Sequence, residues 1–399
     1  LTAREWRSTS ANAPAWYDDL VQSLFTFKFW DFVDAPRRPY SPDLPTNLYV
    51  GLYQEIYEGT YGSRPAYALI GWPLFFVQDQ DIMLQLYLVR LNTILMSVGV
   101  VYFSYLITRL IFPTDPFLFL GVPLLILFNP QHTHLLSTVN NGNLAELLAT
   151  AALYFLVRGI IKGFTWGGGI GIVLLSVAAM WTKATAYFLP FAIGSIGLFY
   201  LWRYKNHWRW LVPSFVLIAG STFFFMPARL KQLIIWAWWG VRAGNFYLDP
   251  IVPIDLFRSF WAMPGWTSLS LHPIWYQILL ICSALALIGL IILFIRKYRY
   301  LSTPPYQARF QALTVLLVAA IVAISVLLAW NTITQTIVYR QGRSIYPVIV
   351  PLSIFLILGW RQFIPSDWWK EAFLALSIGF FLFDSMVLFN YIIPFFYSQ

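Results

Sequence analysis

The chain has 399 residues, of which 59% are hydrophobic and only 11% are charged, and its formal net charge is +9. A soluble domain carries about 25% charged residues, so this chain has too little polar surface for a soluble particle of its size. The composition excludes a soluble nucleic-acid-binding protein and predicts an integral membrane protein whose lysines and arginines hold the cytoplasmic loops in place. The single cysteine, Cys282, excludes an internal disulfide and a cysteine-rich zinc cluster.

The first 81 residues are rich in aromatic and turn-forming residues, and they are predicted to lie on the outer side of the membrane. The apolar stretch at 65–77 is too short to span a bilayer and predicts an interfacial or re-entrant segment. Asp79 and Asp81 are expected to cap the first membrane span, because acidic side chains favour helix N-termini. No signal-peptide pattern follows Leu1. The simplest account of an outer N-terminus is a further helix upstream of Leu1.

Ten apolar runs long enough to cross a bilayer, at about 20 residues each, follow in the rest of the chain. They lie near 82–108, 114–129, 134–157, 167–182, 185–202, 210–226, 274–295, 311–330, 344–360 and 371–391. The expected fold is therefore all-α, with about ten transmembrane helices and a small aromatic-rich outer cap. The chain divides into an outer segment, 1–81, and a transmembrane part, 82–399, which includes the outer loop 227–273.

Positive charges predict the orientation of these spans. Twelve lysines and arginines lie in the loops after the odd-numbered spans, and three lie in the short loops on the other side. Because cytoplasmic loops carry the excess of positive charge, the odd-numbered loops are expected in the cytoplasm and both chain ends on the outer side. The three cations expected near the outer boundary are Lys183, Arg340 and Arg343.

Five polar residues within or beside the spans need a structural explanation: Arg90, Asn140, Asn141, Glu146 and Asp384. Glu146 is predicted to lie about 15 Å into the third span and Arg90 about 12 Å into the first. Charges in lipid are costly and normally paired, so Arg90 is expected to pair with Glu146 or Asp384. A proton path through the two acids is the less favoured alternative. The amides are expected to form hydrogen bonds between helices or with each other.

Other motifs argue against a cofactor. The spacing of His132 and His134 suits a metal, but no third ligand is near in sequence, so both are predicted to be polar residues at a helix start. No haem-attachment or iron–sulfur spacing is present, so no cofactor or metal is expected.

Gly167 and Gly171 are spaced for close packing of two helices.

Several stretches, in this order along the chain, resemble the GT-C glycosyltransferases, and most of all an uncharacterised bacterial branch of that superfamily. They are "RPAYALIGWPLFFV", "HLLSTVNNGNLAELLATAALYFL", "AAMWTKATAYFLPFAIG", "FRSFWAMPGWTSLSLHPIWYQ" and "YRQGRSIYPVIVPLSIFLILGW". The resemblance covers residues 60–360 and implies a GT-C-like fold in a bacterial cytoplasmic membrane. Proteins of this superfamily transfer a sugar from a polyprenyl-phosphate carrier on the outer face.

The resemblance also implies roles for particular residues. An acidic residue in the first outer loop would act as the base, and the nearest candidates are Asp18 and Asp19. Their alternative role is to cap the following helix. Lys183, Arg340 and Arg343 would hold the carrier phosphate, or they would snorkel to ordinary lipid head groups. Where related proteins carry an Asn-Asn-Asp turn, this chain has Gly142 in place of the acid.

Two functions from different classes follow from these patterns. The favoured hypothesis is a non-catalytic integral subunit with a GT-C-like fold, which binds lipid and anchors or stabilises a larger bacterial membrane complex with other subunits. An electron-transfer complex is one possible host. The alternative is a polyprenyl-phosphate-sugar glycosyltransferase acting on the outer face. The lost acid at Gly142 and the absence of the first helix and its acid favour the subunit. A transporter lacks a convincing set of intramembrane charges.

Overall fold

The computed structural model describes residues 64–77, 80–203, 251–264, 269–301, 306–334 and 341–397, together with 235, 238, 239 and 242. Throughout this part of the chain the regular elements are helices, and no β-strand occurs among them. Six of the helices are long and apolar enough to cross a membrane. The chain is thus an all-α, multi-pass membrane protein, as its composition predicts.

The α-helices are numbered here in chain order. They are α1 (Arg64–Ile70), α2 (Ile82–Ile111), α3 (Pro116–Leu127), α4 (Pro130–Leu136), α5 (Asn141–Lys162), α6 (Trp166–Thr182), α7 (Phe188–Arg203), α8 (Ile251–Trp261), α9 (Pro273–Leu301), α10 (Gln307–Thr334), α11 (Ile349–Arg361), α12 (Trp369–Val387) and α13 (Ile393–Tyr397). Short 3-10 helices occupy Trp72–Phe76, Ala184–Ala186, Gly342–Val348 and Ser366–Trp368, and a π-helical turn at Leu388–Ile392 joins α12 to α13.

The membrane-crossing helices match most of the predicted spans. Their long apolar segments are Met83–Ile111, Asn141–Lys162, Pro273–Arg296, Gln307–Ala329, Gly342–Arg361 and Ser366–Phe395. Three shorter apolar helices, Pro116–Leu127, Trp166–Thr182 and Ala184–Gly194, lie where the second, fourth and fifth spans are predicted. The predicted span 210–226 lies outside the described residues. Ten transmembrane helices therefore stay a prediction.

Helix ends follow local side-chain chemistry. Asp81 caps α2, since its carboxylate accepts hydrogen bonds from the backbone N–H groups of Met83 at 2.9 Å and Leu84 at 3.4 Å. This confirms the capping role predicted for Asp81, whereas Asp79 lies outside the described residues. At the far end of α5 the chain leaves the helix at Gly163, whose φ of +95° is a conformation that favours glycine.

The apolar stretch at 65–77 forms two short helices rather than a span. Helix α1 has seven residues and the 3-10 helix Trp72–Phe76 has five, so neither can cross a bilayer. Ile70 is fully buried, and the side-chain amide of Asn92 in α2 donates to the Ile70 carbonyl at 2.7 Å. Phe76, by contrast, is 78% exposed. One side of this segment therefore packs on the bundle and the other faces outward.

Helices α9 and α11 cross with their backbones almost in contact. A Cβ atom on Gly359 would lie 2.0 Å from the Ala286 carbonyl oxygen, and one on Gly289 would lie 2.0 Å from the Gly359 oxygen. The indole of Trp360 donates to the Cys282 carbonyl at 2.8 Å and ties the helices together beside this crossing. Close approach of this kind requires residues without side chains.

The start of α3 and the last turn of α11 lie at the same end of the bundle. The Arg361 guanidinium donates to the Asp115 carboxylate at 2.9 Å, and both side chains are partly exposed. This end is the cytoplasmic one in the predicted orientation. The α5 N-terminus lies at the opposite end, where the site described next is found.

Candidate functional site

The amide-rich turn before α5 forms the floor of the site. Asn140 is the N-cap of α5, and its side-chain oxygen accepts a hydrogen bond from the Gly142 backbone N–H at 2.8 Å. Asn141 donates from its side chain to the Thr182 carbonyl at 3.1 Å, which ties α5 to the end of α6. Asn143 is buried and donates to the Thr138 carbonyl at 3.0 Å. The amides therefore bond within the turn and between helices, as predicted.

Lys183 lies directly over this turn. Its ammonium donates to the Asn140 side-chain oxygen at 3.3 Å. A Cβ atom on Gly142 would lie 2.7 Å from the Lys183 nitrogen, so the lysine occupies the space that a side chain at 142 would need. The absence of a side chain at Gly142 thus leaves room for a cation at the start of a helix.

Arg343 and Tyr67 complete the site from two other elements. Burial lowers the pKa of Lys183 from 10.5 to about 7; the charge of Arg343 lowers it as well, whereas Glu146 raises it. Burial raises the pKa of Tyr67, while a hydrogen bond to the Asn141 backbone and the charge of Arg343 lower it. The side chains of Lys183, Arg343 and Tyr67 are half-buried, whereas that of Glu146 is buried. The site therefore concentrates positive charge where solvent or a lipid head group can reach it.

Glu146 lies deeper in α5 and is paired with a histidine. The Glu146 carboxylate and His132 Nε2 are 2.6 Å apart, and their side chains are only 3% and 1% exposed. The expected pairing of Glu146 with Arg90 is therefore wrong. His132 does lie in the first turn of α4, where it was predicted, but its role as a partner for Glu146 was missed.

The His132 ring is held by a buried network around the end of α8. His132 Nδ1 lies 2.9 Å from the Ile126 carbonyl oxygen, and its ring packs edge-on against Tyr346 with centroids 5.2 Å apart. The Phe260 carbonyl accepts from the Tyr346 hydroxyl at 3.0 Å and from the Asn129 side chain at 3.1 Å. This network links four segments of the chain and gives the ring one orientation.

The other two predicted intramembrane charges lie apart from this pair. Arg90 is exposed on α2, and burial together with the charge of Arg90 lowers the pKa of His134 in α4. Asp384 is half-buried in α12. No ion pair joins Arg90 to Glu146 or to Asp384. The structure thus brings together Lys183, Arg343 and the amide turn, but not the predicted charge pair.

Three predicted site residues, Asp18, Asp19 and Arg340, lie outside the described residues. Within the described ranges, no group of three or more His, Cys, Asp or Glu side chains could hold a metal ion. We call Lys183, Arg343 and the amide turn at Asn140 the cation site, because its two charged groups are the protein's own side chains. The partner of Glu146 that the sequence did not predict, His132, could have been found by asking which nearby polar side chain satisfies a carboxylate at the start of an apolar helix.

An apolar cavity of 390 Å³ lies between α8 and the helices α9, α10 and α11. Six of its lining residues are Leu256, Phe260, Leu287, Ile324, Leu328 and Ile345. Ile345 belongs to the 3-10 helix Gly342–Val348, which also carries Arg343. The same short helix therefore contributes to the cation site and to the cavity.

Comparisons with protein-family models, with characterised proteins and with solved structures find no match to this chain.

Proposed function

We propose that this chain is a non-catalytic integral subunit of a larger bacterial membrane complex, and that it binds the anionic head group of a membrane lipid at Lys183 and Arg343. The observation that carries the proposal is the Lys183 ammonium, held 3.3 Å from Asn140 at the start of α5 with Arg343 close by. A helix N-terminus and two cations each favour an anion. An anionic phosphate is the lipid group that matches this potential.

The cavity beside the 3-10 helix supports a lipid rather than a free anion. A lipid needs an apolar environment for its chain next to a polar site for its head. The 3-10 helix places Arg343 and the cavity-lining Ile345 only two residues apart. Burial of each CH₂ group of a chain contributes about 0.8 kcal/mol, so even a short length of hydrocarbon in the cavity adds substantially to binding.

The described carboxylates support binding rather than catalysis. A general base must have a free oxygen within hydrogen-bond reach of the attacking hydroxyl. Glu146 is the carboxylate that acts on Lys183, but its side chain is buried and bonded to His132. The related turn's acid is replaced by Gly142, whose space Lys183 fills. The described part of the site therefore offers a place for an anion but no free base beside it.

A GT-C-type glycosyltransferase is the second candidate, and the same cation pair favours it. Lys183 and Arg343 would then hold the phosphate of a polyprenyl-phosphate sugar on the outer face. Asp18 or Asp19 would have to supply the base from the outer segment. The lipid-binding chemistry is common to both functions, and the two differ only in whether a sugar is transferred.

The lipid site is tested with the protein in phosphatidylcholine nanodiscs that contain pyrene-labelled phosphatidylglycerol. Lys183→Gln and Arg343→Gln should each weaken phosphatidylglycerol binding by about tenfold or more, because a hydrogen bond to a charged group contributes about 1.5–3 kcal/mol. Lys370→Gln is the matched control, since Lys370 is exposed on α12 at the opposite end of the bundle. If Lys183→Gln and Arg343→Gln bind phosphatidylglycerol as well as Lys370→Gln does, the proposed lipid site is wrong.

The choice between subunit and enzyme is tested by native extraction. As a subunit, the protein should co-purify with a larger complex and should transfer no sugar from polyprenyl-phosphate donors. A free monomer that turns over such a donor, and loses that activity in Asp18→Ala or Asp19→Ala, would establish the glycosyltransferase instead.

A further inference from the structure

The His132–Glu146 pair carries one proton at its contact. His132 Nδ1 lies 2.9 Å from the Ile126 carbonyl oxygen, which can only accept a hydrogen bond, so Nδ1 must carry a hydrogen. His132 Nε2 and the Glu146 oxygen are 2.6 Å apart, which requires a second proton between them. The pair is therefore neutral as a whole, and as an ion pair it places a carboxylate on α5 and an imidazolium on α4.

Glu146 lies one helical turn below the cation site. Positions 142 and 146 are four residues apart in α5, so they share one face of the helix with Cβ positions about 5–6 Å apart. The Lys183 ammonium lies 2.7 Å from the Cβ position of Gly142 on that face. The carboxylate end of the pair therefore lies nearer to Lys183, and the imidazole reaches Glu146 from α4.

We infer that Glu146, held in place by His132, is the internal counter-ion of the anion site: it keeps the Lys183 ammonium charged without occupying the place of the anion. The inference rests on the proposed lipid-binding function. Glu146 is buried and bonded to His132, so it cannot rotate up to Lys183 and block the site. It is a positioning residue, because it acts on the anion only through Lys183.

The other groups around Lys183 explain why a counter-ion is needed. Arg343 of the 3-10 helix faces the lysine and repels its charge, and Tyr67 of α1 lies beside Arg343. Burial also disfavours the charged ammonium. Among the groups that act on Lys183, Glu146 is the one that favours the charged form. A lysine with a pKa of about 7 loses its charge as the pH rises through neutrality.

The test is the pH dependence of phosphatidylglycerol binding in nanodiscs from pH 5 to 9, a range in which a phosphodiester keeps its single negative charge. Wild-type binding should weaken as the pH rises through the lysine pKa. In Glu146→Gln the midpoint should move at least about half a pH unit lower, because the variant loses the negative charge that favours the protonated lysine. Glu146→Asp keeps the charge and should restore most of the midpoint. Asp384→Asn is the matched control and should not move it.

His132→Gln provides a second test in case Glu146→Gln does not fold. Removal of the imidazolium leaves the carboxylate facing Lys183 alone, so the midpoint should rise. An unchanged or lowered midpoint in His132→Gln, or an unchanged midpoint in a folded Glu146→Gln, would overturn the counter-ion role.

Failure of the proposed function gives a different result. In that case the wild-type protein would not distinguish phosphatidylglycerol from phosphatidylcholine at any pH, and Lys183→Gln would change nothing. Failure of the counter-ion role alone would leave wild-type binding, its pH dependence and its loss in Lys183→Gln intact.

Discussion

Two carboxylates in membrane-crossing helices, Glu146 and Asp384, have opposite surroundings. Glu146 is 2% exposed, in a span of which 61% is buried within the bundle. Asp384 is half-buried in α12, in a span of which only 11% is buried. Glu146 bonds to His132, whereas among the described residues no side chain forms an ion pair with Asp384. The buried acid thus has a fixed partner, while none of the described side chains pairs with the acid on the exposed helix.

The two acids also differ in the groups that lie beside them. The Glu146 carboxylate lies one turn below the cation site, on the face of α5 that carries Gly142 and is covered by Lys183 from the end of α6. Asp384 lies four residues before the π-helical turn Leu388–Ile392, in a helix that faces mainly outward. Intramembrane acids normally mark functional sites. Of the two acids, Glu146 is the one with a cation above it, and the proposed counter-ion role rests on that neighbour.

The largest expected effect comes from removing the partner of the buried acid. His132→Leu leaves the Glu146 carboxylate buried without its hydrogen bond and should lower the free energy of unfolding by about 3–5 kcal/mol. Asp384→Leu should leave stability unchanged or raise it, because it removes a costly charge from an apolar helix. Thermal unfolding of both variants in one detergent measures the difference. Equal losses in the two variants would contradict the distinction between the acids.

An acid introduced at position 142, one helical turn before Glu146, tests whether a carboxylate nearer to Lys183 blocks the lipid site. Gly142→Asp places a carboxylate beside the Lys183 ammonium, whose flexible end can move to make room. The resulting ion pair should compete with a lipid anion and weaken phosphatidylglycerol binding about tenfold, equivalent to about 1.4 kcal/mol. Gly142→Asn, with nearly the same shape and no charge, is the control. If both variants bind lipid equally, the charge at this position is not what decides binding.

The smallest expected effect concerns the amide turn that begins the helix of Glu146. Asn141→Ala removes the hydrogen bond to the Thr182 carbonyl, and Asn140→Ala removes the N-cap of α5. Each should lower the free energy of unfolding by about 1 kcal/mol. Ser137→Ala is the control, because its exposed hydroxyl bonds only within its own turn. Chemical unfolding should rank the control closest to wild type, and a larger loss in Ser137→Ala would refute the role of the turn.

The sequence predicted α5 but not its start, and this changed the interpretation of Glu146. The apolar run suggested a span from 134, which would put Glu146 about 15 Å deep. In the structure the helix is interrupted: α4 ends at Leu136 and α5 begins at Asn141. Glu146 is therefore only about 8 Å from the helix start. The local signal of this break is the polar stretch 137–143, in which Asn140 caps the new helix.

Close helix packing was predicted at the wrong glycines. Gly167 has no neighbour within 4 Å of its Cβ position, and Gly171 has only an ordinary contact with Phe155. The true close crossing is formed by Gly289 and Gly359, which are 70 positions apart in the sequence. The spacing of glycines within one helix shows that one face carries small residues. It cannot show which other helix packs against that face.

Composition and apolar run length by themselves determined that this protein is an all-α, multi-pass membrane protein, because a chain with so few charges has no other way to cover its surface. The loop charges also predicted Lys183 and Arg343 at outer helix ends, whereas Asn140 and Asn141 were predicted within the third span. Only the tertiary structure decided that Lys183 lies over Gly142 and that His132 is the partner of Glu146. Partner choice depends on distances between side chains from different helices, and those distances are set when the helices pack together.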